Sequence, residues 1–422
     1  MIDFLKKLFP INRSLTGDGV RETLTLIKNE IGQLNINEIP SGTKVFDWTI
    51  PDEWECVNAF IEDPAGNRIC EFSKNNLHLV GYSEPVDKIL GLNDLQKYLH
   101  SIPEMPTAIP YVTSYYDRSW GFCIDHQSRE KLKDGNYRVF IDSSFKKGSL
   151  TYGELLIPST TSSNKEIFLS TYVCHPSMAN NELSGPVLVT YLSKWLLSLT
   201  FRKYNYRIIF IPETIGSIAY LSMHLKRMKK NVVAGYNVTC VGDERCFSFV
   251  PSRQGDTLSD KVALNILNYE IVKYKKYTYL DRGSDERQYC SPGVDLPIAT
   301  ICRSKYHEYP EYHTSKDDLS VVTEKGLKDS LSLYKMVLTA LEKNEKYKVR
   351  KLCEPFMSSY NLYPKTGGRD GAVSVKNLMD LLAYCDGQNT LIEIAEICQI
   401  SILKVLNNIE ILITNKLVEK VS

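Results

Sequence analysis

The run Ile208-Ile209-Phe210-Ile211 puts apolar side chains on both faces of a strand, with no alternation of polar and apolar positions. Such a strand must be covered on both sides, so its neighbours in the chain must supply helices. From residue 167 onward β-like and helical patterns do alternate, which predicts βαβ units and a mostly parallel sheet flanked by helices, an α/β fold. Strands are expected at residues 167–173, 206–211, 232–241 and 298–302, and helices at 186–199, 217–227, 258–273 and 324–342.

The texture differs on either side of this block. A strand is expected over residues 36–48, and between residues 55 and 155 short β-like runs (56–61, 77–82, 120–124, 137–142, 149–157) are separated by turn signals such as Asp63-Pro64-Ala65-Gly66. This reads as a small β-rich domain inserted into the main one. Residues 348–375 read as a connector, and the helix-like segments 376–384, 391–398 and 402–413, broken at Gln399-Ile400-Ser401, read as a winged helix. The expected organisation is therefore residues 1–54 and 156–350 as two parts of one α/β domain, 55–155 as the insert, and 351–422 as linker and winged helix.

A net charge of +1 gives no footprint for nucleic acid, and the third C-terminal helix offers only Lys404 against Glu410, so the winged helix is expected to contact protein. The eleven cysteines are scattered and never spaced Cys-x-x-Cys, as for reduced thiols. The start, Met1-Ile2-Asp3-Phe4-Leu5-Lys6-Lys7, has no long apolar signal segment, and no run of about 18 apolar residues occurs, so a cytoplasmic location without membrane contact is expected. Arg13 reads as a solvated or locally paired arginine in preference to an anion clamp reaching into a site.

Loops that mostly follow the expected strands bring polar residues toward the carboxyl edge of the sheet, where ligands of such folds bind. They are His175 with Asn181-Glu182, Glu213-Thr214, Asp243-Glu244, Ser284-Asp285-Glu286-Arg287 and Tyr312-His313-Thr314-Ser315-Lys316-Asp317. Imidazole and carboxylate groups suit zinc, a water on zinc has its pKa lowered to about 7, and a neighbouring carboxylate such as Glu213 can take that water's proton. Ser184-Gly185 suits a close turn into the next helix, and Asp317 reads as a cap of the final helix.

The order of these loops resembles the zinc aminopeptidase family that includes leucyl aminopeptidases and glutaminyl cyclases. The matching segments are His175, Asn180-Asn181-Glu182-Leu183-Ser184-Gly185, Glu213-Thr214-Ile215-Gly216, Thr239 or Asp243, Ser284-Asp285-Glu286, and His313-Thr314-Ser315-Lys316-Asp317. The whole chain looks closer still to a branch that joins an aminopeptidase-like domain to an inserted β domain and a C-terminal winged helix, and is associated with polysaccharide biosynthesis. Three positions depart from the family: Asn181 stands where a bridging Asp belongs, Thr214 where a second Glu belongs, and Thr239 where an Asp belongs unless Asp243 replaces it. The resemblance implies one zinc rather than two, with His175, His313 and Glu182 or Asp243 as ligands and Glu213 as the base. Asn181, Asp285 and Glu286 would bind substrate, the two acids holding an ammonium, with Tyr312 or Arg287 donating to an oxyanion. The expected activity is amide hydrolysis on a small peptide or an aminoacyl or N-acyl sugar precursor. The alternative is a silent scaffold of the same fold, recruiting a protein partner through its winged helix or assembling as a homo-oligomer.

Overall fold

A computed structural model describes residues 1–271, 273–363 and 369–421. Its centre is an eight-stranded sheet whose strands are β1 (Asn35–Pro40), β2 (Ser149–Ile157), β3 (Glu166–Tyr172), β4 (Asn205–Ile211), β5 (Val232–Asn237), β6 (Phe247–Val250), β7 (Tyr274–Lys276) and β8 (Ile298–Cys302). Their spatial order is β1-β2-β4-β3-β5-β8-β6-β7. The middle four, β4-β3-β5-β8, run parallel, with Leu169 opposite both Ile208 and Tyr236, and Tyr236 opposite Ala299. Antiparallel pairings join β2 to β4 and β6 to β8.

Alternate residues of the middle strands enter two different cores. Leu169, Ile208, Phe210 and Tyr236 pack on one face with helices Ser184–Ser198, Leu258–Ile266 and Glu324–Lys343. Phe168, Ile209, Ile211 and Ile298 pack on the other with helix Ile215–Asn231 and the β-rich stretch. Double coverage is why these strands lack polar alternation. All four carboxyl ends of the parallel strands therefore open on one crevice.

The expected strand and helix positions in this block hold to within a few residues at most ends, with three differences. The strand expected at 232–241 stops at Asn237, and the helix expected through residue 273 keeps regular geometry only to Ile266, giving way to a wider turn, Leu267–Ile271. The short strands β6 and β7, the last two at that side of the sheet, do not stand out in the sequence, being three or four residues long. Within the stretch 36–48 the strand ends at Pro40, where Pro40-Ser41-Gly42 reads as a turn, and a separate hairpin pairs Lys44–Val45 with Trp48–Thr49.

In the β-rich stretch a four-stranded sheet orders Arg68–Ile69, Glu53–Glu62, Asn136–Lys146 and Val86–Gly91. Residues 77–82 are not a strand: Asn75 accepts a hydrogen bond from Leu77 N at 3.0 Å and closes a short turn there. Strand β2, grouped by texture with this stretch, instead pairs with β1 and β4 in the central sheet.

At the C-terminal end Leu391–Ile397 and Ile402–Thr414 meet at 114°, the geometry of a helix-turn-helix. They lie beside helix Arg369–Tyr384 and a three-stranded sheet of Asp386–Thr390, Lys346–Val349 and Val418–Lys420. Part of the expected connector, residues 364–368, lies outside the described residues. The unit is docked on the main body: Asn265 donates to the Ile400 carbonyl at 3.1 Å and accepts from Ile402 N at 2.7 Å. Among the described residues no single helix is long and apolar enough to cross a membrane, and the bent apolar pair at 391–414 buries Ile394, Val405, Leu406 and Ile409 inside the protein. All eleven cysteines are free thiols.

Candidate active site

His175 follows β3 and Glu213 follows β4, so both stand at the carboxyl edge; His313 arrives on the loop after β8. The rings of His175 and His313 lie with centroids 5.4 Å apart, although 138 positions separate them in the chain. Tyr111 packs edge-on against both, at 5.3 and 5.2 Å, and Tyr312 stacks on His313 at 3.9 Å. Burial lowers the pKa of both imidazoles, that of His175 to about 3, so both rings are neutral at ordinary pH.

The polar turn Ala179–Leu183 is held in place by Asp317, whose carboxylate accepts from Asn180 N at 2.7 Å, Asn181 N at 2.9 Å and the Tyr309 hydroxyl at 2.8 Å. Asp317 is thus a brace for this turn rather than a cap of the final helix; Thr323 caps that helix. The brace carries Glu182 behind the His175 ring, with Oε2 2.8 Å from Nδ1. Arg13 closes the rear. Wholly buried rather than solvated, it sets Nε 3.5 Å from Glu182 Oε1 and donates to the His175 carbonyl at 2.9 Å and the Leu8 carbonyl at 2.8 Å. Burial pushes Glu182 up to about 8, and the neighbouring guanidinium opposes that rise. Above that pH, with Glu182 ionised, the carboxylate accepts from Nδ1, so His175 carries its proton there and leaves the Nε2 lone pair on the side of Glu213.

There Nε2 meets Glu213, whose Oε2 is 3.7 Å away. Ser284 donates to Glu213 Oε1 at 2.8 Å. Burial, then the charge of Asp285, push Glu213 up to about 8, against the Ser284 hydrogen bond. Thr214 follows in a left-handed conformation (φ +63°), sparsely allowed for a β-branched residue. Its N–H donates to Asp285 Oδ1 at 2.8 Å, and its hydroxyl accepts from Arg287 Nη2 at 2.6 Å. Interlocking of this kind is what sustains local strain.

His175, Glu213, Arg287, Tyr312 and His313 share the lining of a cavity of about 500 Å³ with Trp48, Tyr111, Tyr115 and Tyr116. Of these nine, the four aromatic residues Trp48, Tyr111, Tyr115 and Tyr116 carried no signal in the sequence beyond their composition, nor did Ser284 as the partner of Glu213 or Arg13 as that of Glu182. Other expected site residues point elsewhere. Asp243 ties three loops together, accepting from Asn180 Nδ2 (3.1 Å), Ser304 N (3.0 Å), Ser304 Oγ (3.0 Å) and Arg245 N (2.8 Å). Glu286 is buried and accepts from Gly283 N, Ser284 N, the Tyr306 hydroxyl and Asn237 Nδ2, at 2.8, 3.1, 2.5 and 3.0 Å. Asp285 holds Thr214 N and, at 2.9 Å, Ser217 Oγ. Asn181 gives its amide N–H to the Tyr172 hydroxyl at 2.7 Å, and its Oδ1 is buried without a partner.

Two donor sets could hold a cation. Cys174, His175 and Glu182 offer atoms within 4.8 Å of one another. That buried trio is poorly suited, because Nδ1 and Glu182 already share a hydrogen bond, Arg13 stands beside the carboxylate, and burial raises the thiol pKa far above its usual value. The cavity-facing set, two neutral imidazoles with Glu213 beside one of them, fits a borderline cation such as zinc. Among the described residues a single carboxylate, that of Glu213, lines the cavity beside this set. Glu182 is then the carboxylate behind a ligand rather than a ligand, an arrangement that raises ligand basicity and fixes the ring.

Comparison with known proteins places this geometry in a group. Residues 2–344 match the family described as a domain of unknown function (DUF4910), and residues 345–420 match a winged helix-turn-helix family. A Clostridium acetobutylicum protein named for polysaccharide biosynthesis and an aminopeptidase-like domain is 42% identical over 395 residues, 93% of this chain and 90% of that protein. A Clostridium acetobutylicum crystal structure, described provisionally as a peptidase, superposes with a TM-score of 0.92 at 38% identity, over 100% of this chain and 96% of that one. The fold alone is shared with BSAP, a zinc aminopeptidase from Bacillus subtilis (TM-score 0.58, 13% identity, 82% of this chain and 94% of that one). It is shared in the same way with a peptidase M28 precursor from Shewanella amazonensis (TM-score 0.58, 10% identity, 84% and 95%).

Proposed function

Since the chain belongs to the DUF4910 family and carries an aminopeptidase-like fold with a C-terminal winged helix, we propose that it is a metal-dependent hydrolase of amide bonds. Its substrate on this reading is a small peptide or an aminoacyl or N-acyl group on a sugar precursor, in keeping with the name of the Clostridium relative, and its location is cytoplasmic. The observation that carries the reading is the convergence of His175, His313 and Glu213 on one cavity, with Nε2 of the first 3.7 Å from the carboxylate of the last.

His175 and His313 would hold a zinc ion, which when bound supplies a water acidified to a pKa of about 7 and polarises a carbonyl. Glu213 accepts the proton of the attacking water and later gives it to the leaving amine. Ser284 keeps the carboxylate aimed while this happens. Tyr312, which lines the same cavity, supplies a hydrogen-bond donor for the oxygen that becomes negative. On this reading the β-rich stretch between Glu53 and Gly148 acts as an inserted unit that contributes Tyr111 and Tyr115 to the cavity lining, while the central sheet, β2 included, and its helices form the hydrolase body and residues 345–420 the winged-helix unit.

One set of observations favours a silent scaffold instead. Asn181, Thr214 and Thr239, at the family's charged ligand positions, are neutral and tied into internal hydrogen bonds with Tyr172 and Arg287. Elemental analysis of protein purified without chelator separates the two readings. About one zinc per chain, with amide cleavage that Glu213→Gln abolishes while the metal stays bound, supports the hydrolase. A metal-free chain inert toward a panel of amides supports the scaffold.

A further inference from the structure

An enzyme that selects a free amino terminus needs an uncommitted carboxylate in its cavity to receive the ammonium. Among the described residues Glu213 is the only acidic side chain in the lining, and on the hydrolase reading it already has the proton to carry. Asp285 and Glu286, the acids that the family resemblance assigns to an ammonium, are turned inward. Both oxygens of Glu286 are engaged by the Gly283–Ser284 turn, Tyr306 and Asn237, and Asp285 is buried beneath the Thr214 turn.

The cation in the cavity is Arg287. Its Nη2 is steadied by Thr214 Oγ1 at 2.6 Å, and its Nε has no hydrogen-bond partner. Among the described residues no carboxylate lies within 4.0 Å of its nitrogens, although ion pairs of that length are numerous elsewhere in the chain. A guanidinium fixed in this way, with donors left over, matches the planar fork of an oxyanion. Much of the remaining lining is aromatic: Trp48 and Tyr116 meet edge-on at 5.7 Å, with Tyr111 and Tyr115 between them and the histidines.

We infer that the cavity takes an N-acylated, carboxylate-bearing amide, its oxyanion seated on Arg287 and its body against the tryptophan and tyrosine wall, in place of a substrate with a free ammonium. That this molecule is also cut rests on the hydrolase reading above; that it is preferred as a ligand does not.

The test is equilibrium binding by calorimetry to the full chain, as purified and again after removal of metal with chelator, using N-acetyl-tyrosine, its neutral amide N-acetyl-tyrosinamide, and tyrosinamide, which carries a free ammonium. N-acetyl-tyrosine should bind roughly tenfold or more tighter than either amide, with or without metal. Arg287→Met should bring the three within about twofold. In case that variant fails to fold, competition on the wild-type chain gives a second reading: inorganic phosphate should displace N-acetyl-tyrosine and leave tyrosinamide in place. If phosphate binds the tighter of the two anions, the oxyanion seat stands and its natural occupant is a phosphoester. Tightest binding of tyrosinamide, equal binding of all three, a preference that disappears with the metal, or one that survives Arg287→Met would each overturn the proposal. These readouts involve no turnover, so a chain that prefers the anion yet cleaves nothing refutes the hydrolase reading alone, and one that cleaves only amides with a free amine refutes this inference alone.

Discussion

Glu182 holds His175 from behind, its Oε2 2.8 Å from Nδ1 and both side chains almost wholly inaccessible to solvent. The pair makes His175 a fixed, one-sided donor, and it depends on Arg13, the cation 3.5 Å from the other carboxylate oxygen. Replacing Arg13 by Met leaves a buried acid without its opposite charge. Denaturant unfolding should show a loss of about 3 kcal/mol. Glu182→Gln keeps the shape and a hydrogen bond but lowers the basicity of the imidazole, so zinc affinity, measured by competition with a chromogenic chelator, should fall about 10- to 100-fold. Unchanged affinity would remove Glu182 from the site.

Glu213 is separable from metal holding, because two imidazoles remain when its charge is removed. Glu213→Gln should therefore lower the rate of amide cleavage by a factor on the order of 10² to 10⁴ with zinc content unchanged. Loss of both together would mean that the carboxylate is a ligand first and a base second.

Acid sensitivity should arise at a second buried carboxylate, far from the crevice in chain and in role. Glu53 receives both guanidinium nitrogens of Arg21, at 3.0 and 2.7 Å, and Ser149 N at 3.2 Å, which joins the first helices to the start of β2. The Arg21 hydrogen bonds hold its pKa below the usual carboxylate range, against the effect of burial. The unfolded chain then binds the proton more readily than the folded one, so the stabilisation is present above the unfolded value of about 4.3 and is lost as pH falls through the lower folded value. At pH 7 Glu53→Gln should cost about 2 kcal/mol, and the gap between variant and wild-type unfolding curves should close as pH drops below about 4. A gap that stayed constant with pH would show that the pair contributes shape and not charge.

Much of the fold was legible because burial on both faces leaves a direct mark: Ile208-Ile209-Phe210-Ile211 admits hardly any other reading. The edge strand β7 was not, since Tyr274-Lys275-Lys276 has neither the length nor the apolar content to stand out from a loop. For the site, chain order predicted which loops would meet, and His175, His313 and Glu213 do meet. What no local pattern carries is where a carboxylate at a strand end will point. Asp243 and Glu286 look as available as Glu213 in the sequence, yet nearby N–H and hydroxyl groups claim both of them. Arg13 shows the same limit from the other side, as its partners at 175 and 182 are some 160 positions away and only the folded chain brings them into contact.

Gly185 lies at the start of the helix that follows the loop bearing His175 and Glu182, and its backbone is pressed onto the sheet so closely that a Cβ would sit 2.5 Å from Thr171 Oγ1 and nearer still to the Val238 carbonyl oxygen. Neither neighbour is the loose end of a long side chain: Thr171 belongs to β3 and is buried, and Val238 O is main chain just beyond β5. An added methyl must therefore move the start of the helix away from the strands. That start carries Asn181 and Glu182, while β3 leads directly into His175, so the displacement would stretch the 2.8 Å contact that orients the imidazole. Gly185→Ala should cost roughly 1–3 kcal/mol in denaturant unfolding and reduce zinc affinity with it. Gly91→Ala, where a Cβ meets nothing within 4 Å, is the control and should stay within about 0.5 kcal/mol of wild type. A Gly185→Ala protein as stable as that control would mean that helix and strands slide apart freely, and the close packing would then have no part in holding Glu182 to His175.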